Sequence, residues 1–307
     1  MVTEKPSSIL LIVLVVIVLA AAGAAAAFVY EVNKPKAAGS ALTVQLGDNA
    51  TVNYIGTFGS GAQAGRVFDS SIYAVATSNL TYPKSLEYES RGPPSAYSPL
   101  PVHVGPNAPS GGYTIGNLTF STVVTGFWQG LIGLHGNQTK TIVVPPNLGY
   151  GPQNQSCVTT APLGYTVPVL TSVAAASFAS LYPNVTAAVG TEFADPTYGW
   201  NDTVFAVNAS TVTVQALPGV NFLAMPNGLP FEVTAVNATT ITLASTLTAA
   251  NAGLVLGHAK TGGLCGATKF IVSAVNVIAG TLTENFNPEV QGEILDFTVT
   301  VVDIYPA

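Results

Sequence analysis

An eight-residue pattern occurs twice, 29 residues apart, and limits this chain to a β-rich fold. Val207-Asn208-Ala209-Ser210-Thr211-Val212-Thr213-Val214 reappears as Val236-Asn237-Ala238-Thr239-Thr240-Ile241-Thr242-Leu243. Val, Ile and Thr at every second position suit a half-buried strand, because successive side chains point to opposite faces. The Asn before each alternation marks a turn, so each copy reads as strand, Asn turn, strand. Ala274-Val275-Asn276 to Thr281-Leu282-Thr283 echoes the unit with an extra residue. Composition agrees: charged residues make up 8% of the chain, against about 25% in an average soluble domain.

The remainder is also strand-rich. Thr43–Leu46 and Ala50–Ile55 read as two strands around a Gly47-Asp48 turn, Gly56–Gly65 as a glycine-rich hairpin tip, and Val67–Ser71 as the returning strand. Ile72–Gly112 is rich in Pro, Ser and Tyr and reads as a long loop with a short strand at Val102-His103-Val104. Gly126–Leu134 is the helical stretch, with Phe127, Leu131 and Leu134 on one face and Trp128 about 100° round, facing outward or toward a flap. Thr139–Val144 is a strand that Pro145-Pro146 must stop. Ile294–Ile304 closes the chain as an amphipathic strand.

The first 36 residues form a separate object. Ile9–Tyr30 is an uninterrupted run of 22 small or apolar residues, about 33 Å as a helix and long enough to span a bilayer. It is expected to be an N-terminal transmembrane anchor; a cleaved signal peptide is the competing reading, because Ala20–Ala27 offers small residues at cleavage-site spacing. Lys5 before the run and Lys34 and Lys36 after it do not set the orientation. Nine N-x-S/T sequons (Asn49, Asn79, Asn117, Asn137, Asn154, Asn184, Asn201, Asn208 and Asn237) point to an exported, glycosylated surface. So does the lone cysteine pair, Cys157 and Cys265, which could join in an oxidising compartment. The expected location is therefore the cell membrane, single-pass, with the C-terminal part extracytoplasmic. Net charge is −6 and the nine Lys+Arg are scattered, so no basic stripe exists for nucleic acid. Without a CxxC or a Cys/His cluster no metal is expected, and no other cofactor is. Three His, no G-x-S-x-G and no paired catalytic carboxylates disfavour a hydrolase.

Three ordered blocks resemble the FKBP family of peptidyl-prolyl isomerases. The first is Gly47-Asp48, Val52-Asn53-Tyr54-Ile55-Gly56 and Gly65–Ser71 (G-R-V-F-D-S-S). The second is Val123–Leu134 (V-V-T-G-F-W-Q-G-L-I-G-L) running into Lys140–Gly151 (K-T-I-V-V-P-P-N-L-G-Y-G). The third is the C-terminal strand. The layout is similar to the SlyD-like branch, in which an insert-in-flap domain interrupts the isomerase after the Tyr-Gly turn. The return segment Phe286–Leu295 is similar to that branch's F-N-H-P-L-A-G-x-x-L, but Pro288 stands where the pattern has His, and no His-rich tail follows.

The resemblance implies an α+β fold: an antiparallel sheet wrapped on a short helix, with a β-rich insertion. The domains would be 1–36 (anchor), 37–151 (first isomerase part, with 72–112 a loop insertion), 152–283 (insert) and 284–307 (return strand). It further implies that Tyr54, Phe68, Val123, Val124, Phe127, Tyr150 and Phe297 line a cleft floored by Phe127. Asp69 and the Tyr150 hydroxyl would be its polar groups, and the Val124 amide would hold the substrate backbone. Expected partners are unfolded or proline-containing polypeptides. A catalytically weak membrane-anchored chaperone and a cell-surface binding or structural protein are the competing readings.

Overall fold

The structure is a computed structural model that describes residues 42–259 and 263–307. The apolar run Ile9–Tyr30, expected as an anchor, lies outside them. Among the described residues no helix is long and apolar enough to cross a membrane.

The architecture is mostly β-sheet with a few short helices. The first sheet is built on β1 (Asn49–Phe58), which pairs antiparallel with β2 (Val67–Ser70), with β3 (Leu100–His103) and with a strand from the far end of the chain. Between β2 and β3 stands one turn of helix, α1 (Tyr73–Thr77). The ribbon β4 (Tyr113–Ile115) and β5 (Leu118–Thr122) extends the sheet beyond β3, with β5 parallel to β3. Helix α2 (Thr125–Leu131) and β6 (Thr139–Val144) follow, and β6 runs into Pro145, which has no N–H to continue a ladder.

Helix α2 lies unusually close to β6, and two glycines permit it. A Cβ on Gly130 would sit 2.3 Å from the Ile142 side chain, and one on Gly126 would sit 2.8 Å from Val144. Four residues apart, they form one bare stripe on the helix. Phe127 and Leu131 are buried against Val52, Tyr54, Ile142, Val144, Phe297 and Val299, and Leu134 joins the same core.

Next come three edge strands in succession, β7 (Val158–Pro162), β8 (Gly164–Pro168) and β9 (Leu170–Ala174), and helix α3 (Ala175–Leu181). Three hairpin units follow: β10–β12 (Glu192–Ala194, Asn201–Val207, Thr211–Ala216), β13–β15 (Leu223–Ala224, Phe231–Val236, Thr240–Ser245) and β16–β18 (Leu256–His258, Lys269–Asn276, Thr281–Asn285). Each unit takes one edge strand to make a four-stranded sheet, in reverse order: β9 joins the first unit, β8 the second and β7 the third. Every long hairpin carries a β-bulge at the same place, after Val204, Val233 and Val272. The Asn turns also match. Asn208 Oδ1 accepts from Ser210 N (2.9 Å) and Thr211 N (2.8 Å), and Asn237 Oδ1 accepts from Thr239 N and Thr240 N at the same distances. A separate apolar cluster, including Phe231, Phe270, Leu243, Leu282 and Trp200, fills this region. The chain then closes on β19 (Leu295–Tyr305), between β1 and β6.

Several expectations are corrected. Thr43–Leu46 is not a strand; only Thr43 bridges, to His135. The Asp48 carboxylate accepts from Gln45 N at 2.8 Å, which starts the turn too early for a ladder. Residues 72–112 are not one loop: they hold α1 and β3, and β3 begins two residues before the expected strand. Pro101 fits there because at its level only β1 flanks β3, β5 pairing beginning at Val102. Trp128 is not outward-facing but 7% exposed, within the core. More than one side of α2 is covered, since buried Val44 is bonded to Gly133 and Leu134 just beyond its end. The Asn49 sequon is not at the surface either; its side chain is buried against His103 Nδ1 at 3.0 Å.

A disulfide joins Cys157, at the start of β7, to Cys265, just before β17, across a separation of 108 residues. Closing a loop of that size stabilises a fold by about 4–5 kcal/mol in the loop-entropy model. The Cys157→Ser/Cys265→Ser double variant should therefore lower the denaturant midpoint of the β7–β18 region, and reductant should do the same to the wild type. Identical unfolding curves would show that the bridge constrains nothing.

Candidate functional site

The alternation on β1 places Tyr54 toward the core side of the first sheet, beside Phe297 of β19 and under α2. Gly56, on the same face, leaves room for a ring to cross the strand. A Cβ there would come 2.6 Å from Phe68. Phe68 therefore lies over β1, 5.5 Å from Phe297 and at 89° to it. Phe127 meets Phe297 at 4.9 Å and 84°, and Tyr54 at 5.9 Å and 88°. Edge-to-face contacts of this kind set each ring's tilt, so the aromatic wall is fixed by its own members.

These rings line one cleft of about 290 Å3. Tyr54, Phe68, Asp69, Val123, Val124, Phe127, Tyr150 and Phe297, drawn from five separated stretches of chain, all border it, and so do Leu100 and Thr122. Val123 and Val124 connect β5 to α2. Val124 is the N-cap of α2, its carbonyl accepting from Phe127 N at 3.0 Å, while its own N–H has no acceptor among the described residues. Tyr150 stands on the turn after β6, where Gly151 N donates to Pro146 O at 2.8 Å. It is half exposed, and burial, followed by the nearby Asp69 charge, raises its phenol above the ordinary value.

At one end the cleft is polar. The Tyr54 hydroxyl donates to Asp69 Oδ2. Arg91 Nη2 donates to both Asp69 oxygens at 2.8 Å and to the Tyr54 oxygen, with the guanidinium 5.8 Å above the Tyr54 ring. Ser70 N adds a further donor to Asp69 Oδ1 at 2.8 Å. Arg91 is itself fixed: its backbone N–H donates to the Tyr97 hydroxyl at 2.9 Å, and Tyr97 packs on Tyr73 of α1. The segment carrying it is tied down by Glu289, which accepts from Ser85 Oγ at 2.6 Å and from Glu87 N at 3.1 Å. Burial foremost, then the Asp69 charge and hydrogen bond, drive the Tyr54 phenol far above the usual range, with Arg91 opposing.

Sequence reasoning missed Arg91 and Leu100, because both sit in the segment read as a loop. A signal was present, since Arg91 is one of only two arginines in the chain. Among the described residues no group of three or more His, Cys, Asp or Glu is placed to hold a metal ion. Compared with known proteins, the chain matches no protein-family model and no curated protein.

The arrangement offers an aromatic slot partly open to solvent, one backbone donor without an acceptor among the described residues and a carboxylate that accepts several internal hydrogen bonds. It can bind a small apolar ring and orient an amide beside it. It has no nucleophile–base pair. If the Tyr54 hydroxyl is held as described, the alkaline phenol titrations of wild type and Tyr54→Phe should superimpose through about pH 11, a unit above the ordinary tyrosine value. A titration step below that pH missing from the variant would show that the hydroxyl is free.

Proposed function

We propose that this chain is an FKBP-type peptidyl-prolyl cis-trans isomerase, carried outside the cytoplasm on an N-terminal membrane anchor. The observation behind this reading is the convergence of eight residues, far apart in sequence, on one aromatic cleft.

Rotation about an X-Pro amide needs no covalent chemistry. Its barrier is about 18–20 kcal/mol, because twisting breaks amide resonance. The planar amide is the more charge-separated form, so a cleft poor in water favours the twisted one. In this reading the proline ring rests on Phe127, between Phe297 and Tyr54, and Phe68 closes one side. The Val124 N–H and the Tyr150 hydroxyl hold the flanking backbone. Asp69, already satisfied by Arg91, Tyr54 and Ser70 N, positions the Tyr54 ring at the polar end of the slot.

A second, complementary activity is favoured by one observation. The hairpin units leave large apolar side chains in solvent: Phe205 is 52% exposed, Val277 64% and Ile278 fully so. Such residues suit the holding of unfolded chains, so the insert would act as a chaperone for the clients that the cleft isomerises. Deleting residues 158–285 should abolish suppression of client aggregation, whereas a purely structural insert would leave it intact.

A protease-coupled assay with a proline-containing peptide tests the isomerase. Phe127→Ala should lower kcat/KM by about ten- to a hundredfold, or roughly 1.4–2.7 kcal/mol of transition-state stabilisation. Asp69→Ala and Arg91→Ala should cost a smaller factor through misplacement of Tyr54. A rate no higher than background, or one indifferent to all three substitutions, would sink the proposal.

A further inference from the structure

The three hairpin units differ at one buried position. Aligned by their bulges, the first unit reads Asp202-Thr203-Val204-Phe205-Ala206-Val207-Asn208, the second Phe231-Glu232-Val233-Thr234-Ala235-Val236-Asn237 and the third Phe270-Ile271-Val272-Ser273-Ala274-Val275-Asn276. Phe231 and Phe270 are core residues, 4% and 2% exposed. Asp202 takes their place at 2% exposure, and its Oδ1 meets no hydrogen-bond partner among the described residues. Packing cannot account for the exchange, since a phenylalanine serves the same backbone twice. A buried carboxyl with one oxygen unpartnered costs stability, and it is either protonated or met by a counter-group.

What surrounds Asp202 defines that group. A partly open pocket of about 160 Å3 is lined by Asp202, Asp195, Thr171 and three aromatic residues, Tyr182, Tyr198 and Trp200. Asp195 lies beside the Asp202 carboxyl and is less buried, so it forms the outer of the two acidic groups. Its Oδ1 is occupied, accepting from Thr197 N and Tyr198 N at 2.7 Å. Tyr198 is stacked on Trp200 at 4.2 Å and 5°. Burial and then the charges of Asp195 and Asp202 raise the Tyr182 phenol, so that ring borders both carboxyls. Burial, then the charge of Asp195 and a hydrogen bond with its carboxyl, raise the pKa of Asp202 to about 7, and the Trp200 indole opposes this.

None of the described lysines or arginines lines the pocket. The two arginines of the chain are engaged elsewhere, Arg66 on the Lys84 carbonyl and Arg91 on Asp69. Among the described residues no side chain supplies a cation to this pocket, whose open side leaves room for one from another molecule. Two carboxyls supply too few oxygens for a calcium or magnesium shell of six or more. Flat aromatic walls next to paired carboxyls suit a planar cation that stacks on rings and donates in a fork.

We propose that this pocket is a binding site for a guanidinium group, an arginine side chain of a client polypeptide. Asp195 meets the ligand at the mouth, Asp202 behind it gives up its proton as the cation binds, and Tyr182 and the Tyr198–Trp200 stack form the walls. The site belongs to the first hairpin unit alone, since the other two fill the position with phenylalanine.

Tryptophan emission of the full-length protein provides the test, because Trp200 is one of the chain's two tryptophans. N-acetyl-arginine amide should shift the emission saturably, while N-acetyl-lysine amide and Ca2+ should act at least tenfold more weakly. Free arginine separates the sources: the capped residue, which resembles one within a polypeptide, should bind at least as well. Asp202→Phe should melt no lower than wild type, since its sister units carry that residue, and should lose the response. Should that variant fail to fold, the nearly isosteric Asp202→Asn should still weaken binding at least tenfold. Absence of a saturable shift, equal binding of the lysine analogue or Ca2+, preference for free arginine over the capped residue, or an unchanged response in a folded Asp202 variant would each overturn the proposal. Prolyl isomerisation is read separately, so failure of one site leaves the other standing.

Discussion

The structure depends on the pairing of β1 with β19. Ten residues of β1, Asn49 through Phe58, are in register with Tyr305 back to Leu295, across a single irregularity after Thr51. Everything between them in sequence has to leave and return without disturbing that ladder. The constraint is visible where the insert departs and comes back. Gly292 N donates to Gly151 O at 2.8 Å, and the Asn287 amide bonds Asn154 through both its oxygen and its nitrogen. Those contacts hold the two crossings together, so a long insertion adds little to the entropy of closing the sheet.

The cleft inherits the same dependence. Phe297 touches Tyr54, Phe68 and Phe127, and it reaches them only because β19 lies beside β1. The wall therefore cannot form before β1 and β19 have met. The polar end is no more local: Arg91 reaches Asp69 from a segment held by Glu289 on the return path. In the site, rigidity comes from rings that fix one another's tilt and from a carboxylate with several donors; neither contribution is available to a short stretch of chain.

Much of this was legible in the sequence because its signals are local. Alternation gave β1 and β19, Pro145-Pro146 gave the end of β6, and the Asn turns gave two of the three hairpin units. The third was only an echo, as its turn is longer; the shared bulge that relates Val272 to Val204 and Val233 has no mark in one-dimensional spacing. Trp128 was misread because helix phase says which residues share a side and not how many sides are covered. Thr43–Leu46 had the right alternation, yet the Asp48 carboxylate offered Gln45 N a nearer partner than any strand. Arg91 and Leu100 stayed hidden for another reason. Their surroundings carry the composition of a loop, and their roles are set by partners far away in sequence.

The hairpin units separate what a fold requires from what it tolerates. All three keep the bulge, the Ala-Val-Asn sequence after it and the buried Val before it, because these fix the strand's twist and the turn. Each hairpin is a local structure that can form early, whereas its edge strand arrives from a continuous run that serves all three units in reverse order. The edge strands thus make the units interdependent: β7, β8 and β9 are joined by single residues, so a shift in one displaces its neighbours. The disulfide sits at that junction, tying the residue before β7 to the loop before β17. It fastens the first edge strand to the unit that comes last in the chain, the pairing with the widest sequence gap of the three, where a covalent constraint removes the most disorder from the unfolded chain.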